Sequence, residues 1–158
     1  MKKAVKLVAT LISGMGIGAI LSGKILGKSK EEKSKKVDKF KSYYNMLNQW
    51  VALEQEGKSL VEYFTQNSIN TIAIYGMGEM GNRLYAELEN SGIEVKYAID
   101  KNADNTYSQL NIKSLEDDLP YVDAIVVTAI FDFSDIEEML SSKTEFQIIS
   151  LEDVVYEI

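Results

Sequence analysis

The stretch Thr71 to Asp100, TIAIYGMGEMGNRLYAELENSGIEVKYAID, restricts the fold more than any other part of the chain. Ile72, Ala73, Ile74 and Tyr75 form an apolar run of the length of one buried strand. Gly76, Gly78 and Gly81 follow at G-x-G-x-x-G spacing. Leu84, Tyr85 and Leu88 then recur at helical spacing, and Ser91-Gly92 marks the end of that helix. A second apolar run, Val95 to Ile99, ends at Asp100, nineteen residues after Gly81.

Strand, glycine loop, helix, strand and acidic residue in this order match the dinucleotide-binding fingerprint. Gly76 permits a tight turn out of the strand, Gly78 lets a pyrophosphate approach the backbone, and Gly81 lets the helix pack closely on the sheet. Loop amides and the positive end of the helix dipole then face the ligand. The candidate binding set is therefore the loop itself, Gly76, Met77, Gly78, Glu79, Met80 and Gly81, with three residues beyond it. Asp100 could accept hydrogen bonds from a ribose diol. Arg83, the only arginine, could reach a phosphate from the start of the helix, and Thr128 ends a later strand at the same sheet edge. The same glycines could also serve only the turn and the packing.

The chain of 158 residues has no cysteine and no histidine, which excludes disulfides, Cys/His zinc sites and Ser-His-Asp or Cys-His catalysis. Its charge is unevenly placed. Residues 1–41 carry eleven lysines and three acidic residues, a balance of +8; residues 42–158 carry six basic and twenty-one acidic residues, a balance of −15. The basic end suits an anionic surface, and the acidic remainder does not suit nucleic acid.

Leu7 to Gly23 is free of charge, and Lys6 and Lys24 could snorkel at its ends. This predicts a transmembrane anchor over 1–27, followed by a basic linker over 28–36. More lysines follow the span than precede it, so a single pass in the cell membrane with the C-terminal domain cytoplasmic is expected, with lipid head groups as partners. Gly14 and Gly18 could let two such spans approach closely.

Residues 37–67 read as a helix pair. Val37, Phe40, Tyr44, Leu47 and Val51 alternate at spacings of three and four, with Tyr43, Trp50 and Leu53 widening the apolar face. Such a face suits packing on the domain or on a partner, including a homo-oligomer through 37–56. After Gly57 a shorter helix is expected over Leu60–Gln66. Residues 68–158 then form the α/β domain. Ser114 with Asp117 predicts a short capped helix over Leu115–Leu119, Asp123–Ala129 a buried strand, Ser134 or Asp135 the cap of a helix through Leu140, and Gln147–Leu151 a last strand. The fold class expected is α/β: a small, doubly wound, parallel Rossmann-like sheet of four to five strands, preceded by the helix pair and the N-terminal transmembrane helix. Tyr97 and Lys101 match a Tyr-x-x-x-Lys pattern, but across a strand end they lie ~13 Å apart rather than side by side. No catalytic or metal-ligating residue is assigned.

The segments IAIYGMGEMGNRLYAEL, IEVKYAID and VDAIVVTA resemble the Rossmann-like modules of bacterial polysaccharide-biosynthesis proteins. These include the N-terminal module of sugar acetyltransferases and that of membrane nucleoside-diphosphate-sugar epimerase/dehydratases. The resemblance covers residues 70–158 and carries over Gly76, Gly78, Gly81 and Asp100. It implies a membrane-anchored module that binds NAD(P) or a nucleotide-sugar and works with polysaccharide enzymes. Those proteins' catalytic domains are missing here, so independent enzymatic activity is not expected. Two alternatives stay open: a subunit that uses a partner's catalytic residues, and a non-binding scaffold whose Tyr43/Trp50 helix is the working surface.

Overall fold

The structure, a computed structural model, describes residues 30–101, 103 and 109–158. The chain divides into two compact units, 1–41 and 42–158. In the first, the described residues 30–41 are helical. That helix, α1, continues to residue 55, so residues 30–36 form regular helix where a linker was expected.

The second unit is an α/β domain. The helices α2 (Val61–Gln66), α3 (Glu79–Leu88), α4 (Phe133–Ser141) and α5 (Leu151–Tyr156) surround strands β1 (Thr71–Tyr75), β2 (Glu94–Ile99), β3 (Ile112–Lys113), β4 (Ala124–Val127) and β5 (Gln147–Ser150). The strands form one sheet in the order β3-β2-β1-β4-β5, and every pairing is parallel. Parallel strands need crossovers, and right-handed crossovers that run in opposite directions from the sheet centre put their helices on opposite faces.

Both faces are accordingly apolar. On one, Ile72, Ile74, Ala98 and Val126 pack with Met46, Trp50 and Leu53 of α1, Phe64 of α2, Leu84 and Leu88 of α3 and Val154 of α5. On the other, Ala73, Tyr75, Tyr97, Ile99 and Val127 pack with Ile136 and Leu140 of α4. β1 and β4, buried on both sides, therefore read as continuous apolar runs rather than alternating ones. The five-stranded parallel sheet is compatible with a Rossmann-like fold.

The expected fold class needs one correction. Among the described residues no helix is long and apolar enough to cross a membrane. The transmembrane helix is thus no part of the fold as found, and residues 1–27, to which it was assigned, lie outside the described residues, as do Gly14 and Gly18.

Smaller differences have local causes. Residues 115–119 form a turn, not a helix: Asp117 Oδ2 accepts the Ser114 amide at 2.6 Å, and Ser114 Oγ accepts the Glu116 amide. Only one half of a capping box forms: the Asp117 amide goes to the Ser114 carbonyl, not to its hydroxyl, and Pro120 follows three residues later. α4 begins one residue before Ser134, with Asp132 at its N-cap and a short 3-10 turn, Ile130–Asp132, leading in. Of the stripe with the cleanest spacing on α1, Val37, Phe40, Tyr44 and Val51 are exposed, while Leu47 is half-buried against the core.

Candidate functional site

Every residue of the glycine loop has a definite placement. Gly76 follows β1 with φ +94°, a conformation that L side chains rarely adopt, and a Cβ there would come within 2.8 Å of Thr128 Oγ1. Gly81 lies in the first turn of α3, where a Cβ would overlap the Gly76 carbonyl oxygen. Close packing of α3 on the turn thus demands glycine at that position. Gly78, the N-cap of α3, differs from both. Its φ is −76°, and a Cβ would meet nothing within 4 Å. The fold itself has no need of glycine there.

Three side chains brace the loop. Asp100 Oδ2 at the end of β2 accepts the Met77 amide at 2.9 Å. The Thr128 hydroxyl, buried just beyond β4, bonds to the Gly76 carbonyl at 2.7 Å and also approaches that of Tyr75 at 3.1 Å. Asn82 Nδ2 donates to the Gly78 carbonyl at 3.0 Å. Asp100 therefore touches the turn, and Thr128 is occupied inside the fold. The Met77 side chain is buried in the core, and Met80 is half-buried against it. Gly78 and Glu79 are exposed at the loop's surface.

Arg83 stands elsewhere. It is exposed on α3 and lines a groove of about 380 Å³ with Leu47, Val51 and Glu54 of α1. One turn further along α3, Glu87 joins three elements. Its carboxylate accepts Trp50 Nε1 and the Leu60 amide, each at 2.6 Å, and Ser59 Oγ at 3.0 Å. Trp50 is consequently 5 % exposed and Tyr43 packs on the core, its hydroxyl donating to the Thr128 carbonyl at 3.2 Å. On the helix that the scaffold alternative takes as its working surface, these two aromatics turn inward, while Tyr44 and Val51 are exposed.

Beside the loop, a crevice of about 420 Å³ opens at the carboxyl ends of β1, β2 and β4. Tyr75, Gly76, Asp100, Lys101, Asp132 and Asp135 are among the residues that line it. It lies where the strand order reverses, β1 connecting outward one way and β4 the other, which is where open α/β sheets hold ligands. Carboxylates outnumber ammonium groups around it. Burial raises the Tyr75 hydroxyl above its ordinary pKa, and the Asp100 charge raises it further. Tyr97, whose hydroxyl donates to the Pro120 carbonyl at 2.8 Å, is pushed up to about 12 by burial and by Asp118. It lies in the core. Among the described residues no group of acidic side chains is arranged to hold a metal.

Fold and loop together define a class: a parallel α/β domain with a braced glycine turn and a crevice at the reversal of strand order. Compared with known proteins, the chain matches no family model, no curated protein and no solved structure. The sequence signals missed Glu87 and Asn82, whose hydrogen bonds form only after folding, and Tyr75, which read only as part of an apolar strand. The loop bracing by Asp100 had a signal in its place at the end of β2.

Proposed function

We infer that this protein is a nucleotide-binding module, with the ligand's phosphates over Gly78 and the first turn of α3 and its nucleoside in the adjoining crevice. The observation that carries the reading is the contrast among the three glycines. Gly76 and Gly81 are required by the turn and by packing, whereas Gly78 sits in open space with an ordinary φ. A position that tolerates a side chain in the isolated protein, yet has none, is accounted for by an approaching ligand. α3 is ten residues long, and its N-cap supplies no side-chain hydrogen bond to its first-turn amides. On the resemblance given above, the ligand class is NAD(P) or a nucleotide-sugar, and the setting is bacterial polysaccharide biosynthesis alongside enzymes that carry the catalytic residues.

The test is calorimetric titration of the full chain and of Gly78→Val with NAD, NADP and UDP-glucose. The parent is expected to bind at least one of them. Gly78→Val is expected to bind about tenfold or more weakly, a loss of 1.4 kcal/mol or above. Its melting point should move by only a few degrees, since valine at an N-cap costs about 1 kcal/mol and its Cβ meets no neighbour. A parent that binds none of the three at millimolar concentration would leave the module without a nucleotide role.

A further inference from the structure

One residue lining the crevice, Tyr75, has a buried hydroxyl that the fold leaves without a partner. Tyr75 ends β1, is 4 % exposed, and its hydroxyl is buried with no hydrogen bond. Among the described residues it is the only buried side-chain nitrogen or oxygen in that condition. A buried tyrosine hydroxyl normally finds a partner, because leaving it unsatisfied costs stability. Tyr97 on the same sheet face shows the usual outcome, with its hydroxyl on the Pro120 carbonyl. The Tyr75 main chain is fully used, its carbonyl accepting from the Thr128 amide at 3.0 Å. Only the side chain is left over.

The surroundings say what it would meet. Tyr75 lines the crevice together with Asp100, Asp132 and Asp135 and a single lysine, Lys101. Burial and the Asp100 charge both keep the phenol protonated, so it can donate. Carboxylates accept hydrogen bonds and repel anions. The lining disfavours an anionic ligand group; a group without negative charge that carries hydroxyl or amine donors for the carboxylates and presents one acceptor to the phenol suits it.

Resting on the nucleotide-binding reading, we propose that the Tyr75 hydroxyl reads the uncharged nucleoside end of the ligand. It donates to a ribose or base acceptor while the ribose diol faces the crevice carboxylates. The phosphates stay outside, over Gly78. The proposal makes Tyr75 a specificity residue whose hydroxyl serves binding at the expense of the unliganded fold.

The experiment compares the full-length parent with Tyr75→Phe. Melting is measured without ligand, and binding is measured by calorimetry with adenosine, uridine, their 5′-diphosphates and NAD. Removing a hydroxyl that has no partner should leave the melting point unchanged or raise it. Affinity for whichever probe the parent binds best should fall about tenfold or more. The same loss should appear with the nucleoside alone, because the hydroxyl faces that end. If the parent binds and Tyr75→Phe binds equally, the proposal is overturned while the nucleotide reading stands. A loss seen only with the phosphate-bearing probes would overturn it as well, by moving the hydroxyl to the phosphate side. So would a lower melting point for Tyr75→Phe without ligand, since the hydroxyl would then be satisfied inside the fold. A parent that binds no probe removes the nucleotide reading itself, and this proposal with it.

Discussion

Glu87 is where removing one side chain should affect the most structure. Its carboxylate takes the indole N–H of Trp50 and the Leu60 amide at 2.6 Å each, with Ser59 Oγ at 3.0 Å, and so ties α1, the start of α2 and α3 together. Glu87→Ala leaves two donors on residues that are 5 % and 0 % exposed. An orphaned buried donor costs about 1–3 kcal/mol. Glu87 itself is only half-buried, so water can enter the vacated space, and the lower part of that range applies to each. The sum is about 3 kcal/mol, which for a domain of this size corresponds to roughly 12 °C in melting temperature. Glu87→Gln keeps one acceptor for Leu60 and Ser59 but turns an NH2 toward the Trp50 N–H, so about half the loss is expected. Trp50 is the only tryptophan, so tryptophan fluorescence reports on the surroundings of this one side chain. Circular dichroism melts and native-state emission spectra are the assays, and a red shift is expected in the alanine variant. Glu87→Ala melting within about 2 °C of the parent, with unchanged emission, would refute the reasoning.

Two further outcomes follow from the fold. Gly81→Ala should destabilise the domain by about 1–3 kcal/mol through overlap with the Gly76 carbonyl, well beyond the effect of Gly78→Ala, and chemical denaturation of both variants checks the ranking. Asp123 Oδ2 accepts the amides of Asn70 and Thr71 at 2.9 and 2.8 Å and the Thr71 hydroxyl at 2.9 Å, and these bonds hold its carboxyl below the ordinary 3.8. Because the folded value is the depressed one, its contribution is complete above the unfolded pKa and is lost as pH falls through the folded value. Asp123→Asn should therefore melt below the parent near neutrality, with the gap narrowing in acid; a gap independent of pH would contradict this.

The sheet's centre was legible because its strands are short apolar runs between turn signals. Ile72–Tyr75 and Val95–Ile99 fall inside β1 and β2, and the expected strands at 123–129 and 147–151 enclose β4 and β5. The edges were not. β3 is two half-buried residues after a polar stretch, too short for any periodicity, and it exists only because β2 offers a partner at Ala98 and Ile99. α1 shows a different limit. Two apolar stripes share its spacing of three and four: Val37, Phe40, Tyr44 and Val51 stay exposed, while Met46, Trp50 and Leu53 are buried. Periodicity alone cannot choose between them. The Trp50–Glu87 bond and the Tyr43–Thr128 bond decide which stripe turns inward, and both depend on residues distant in sequence. At the candidate site, the roles of Gly76 and Gly81 were readable from spacing. The open space at Gly78 and the solitary hydroxyl of Tyr75 required coordinates.

The sheet order also bears on how the domain avoids aggregation. Its two outer strands are the shortest or nearly so, with two residues in β3 and four in β5, and little unpaired backbone is offered to another chain. The most apolar strand, β4, reading AIVV, is shielded between β1 and β5. β5 and α5 are also the last elements of the chain, and Ser150, which caps α5 by accepting the Glu152 amide, joins them directly. Detaching β5 would uncover the four apolar residues of β4 along an open strand edge. β5 thus occupies the edge of β4 that another chain could otherwise pair with.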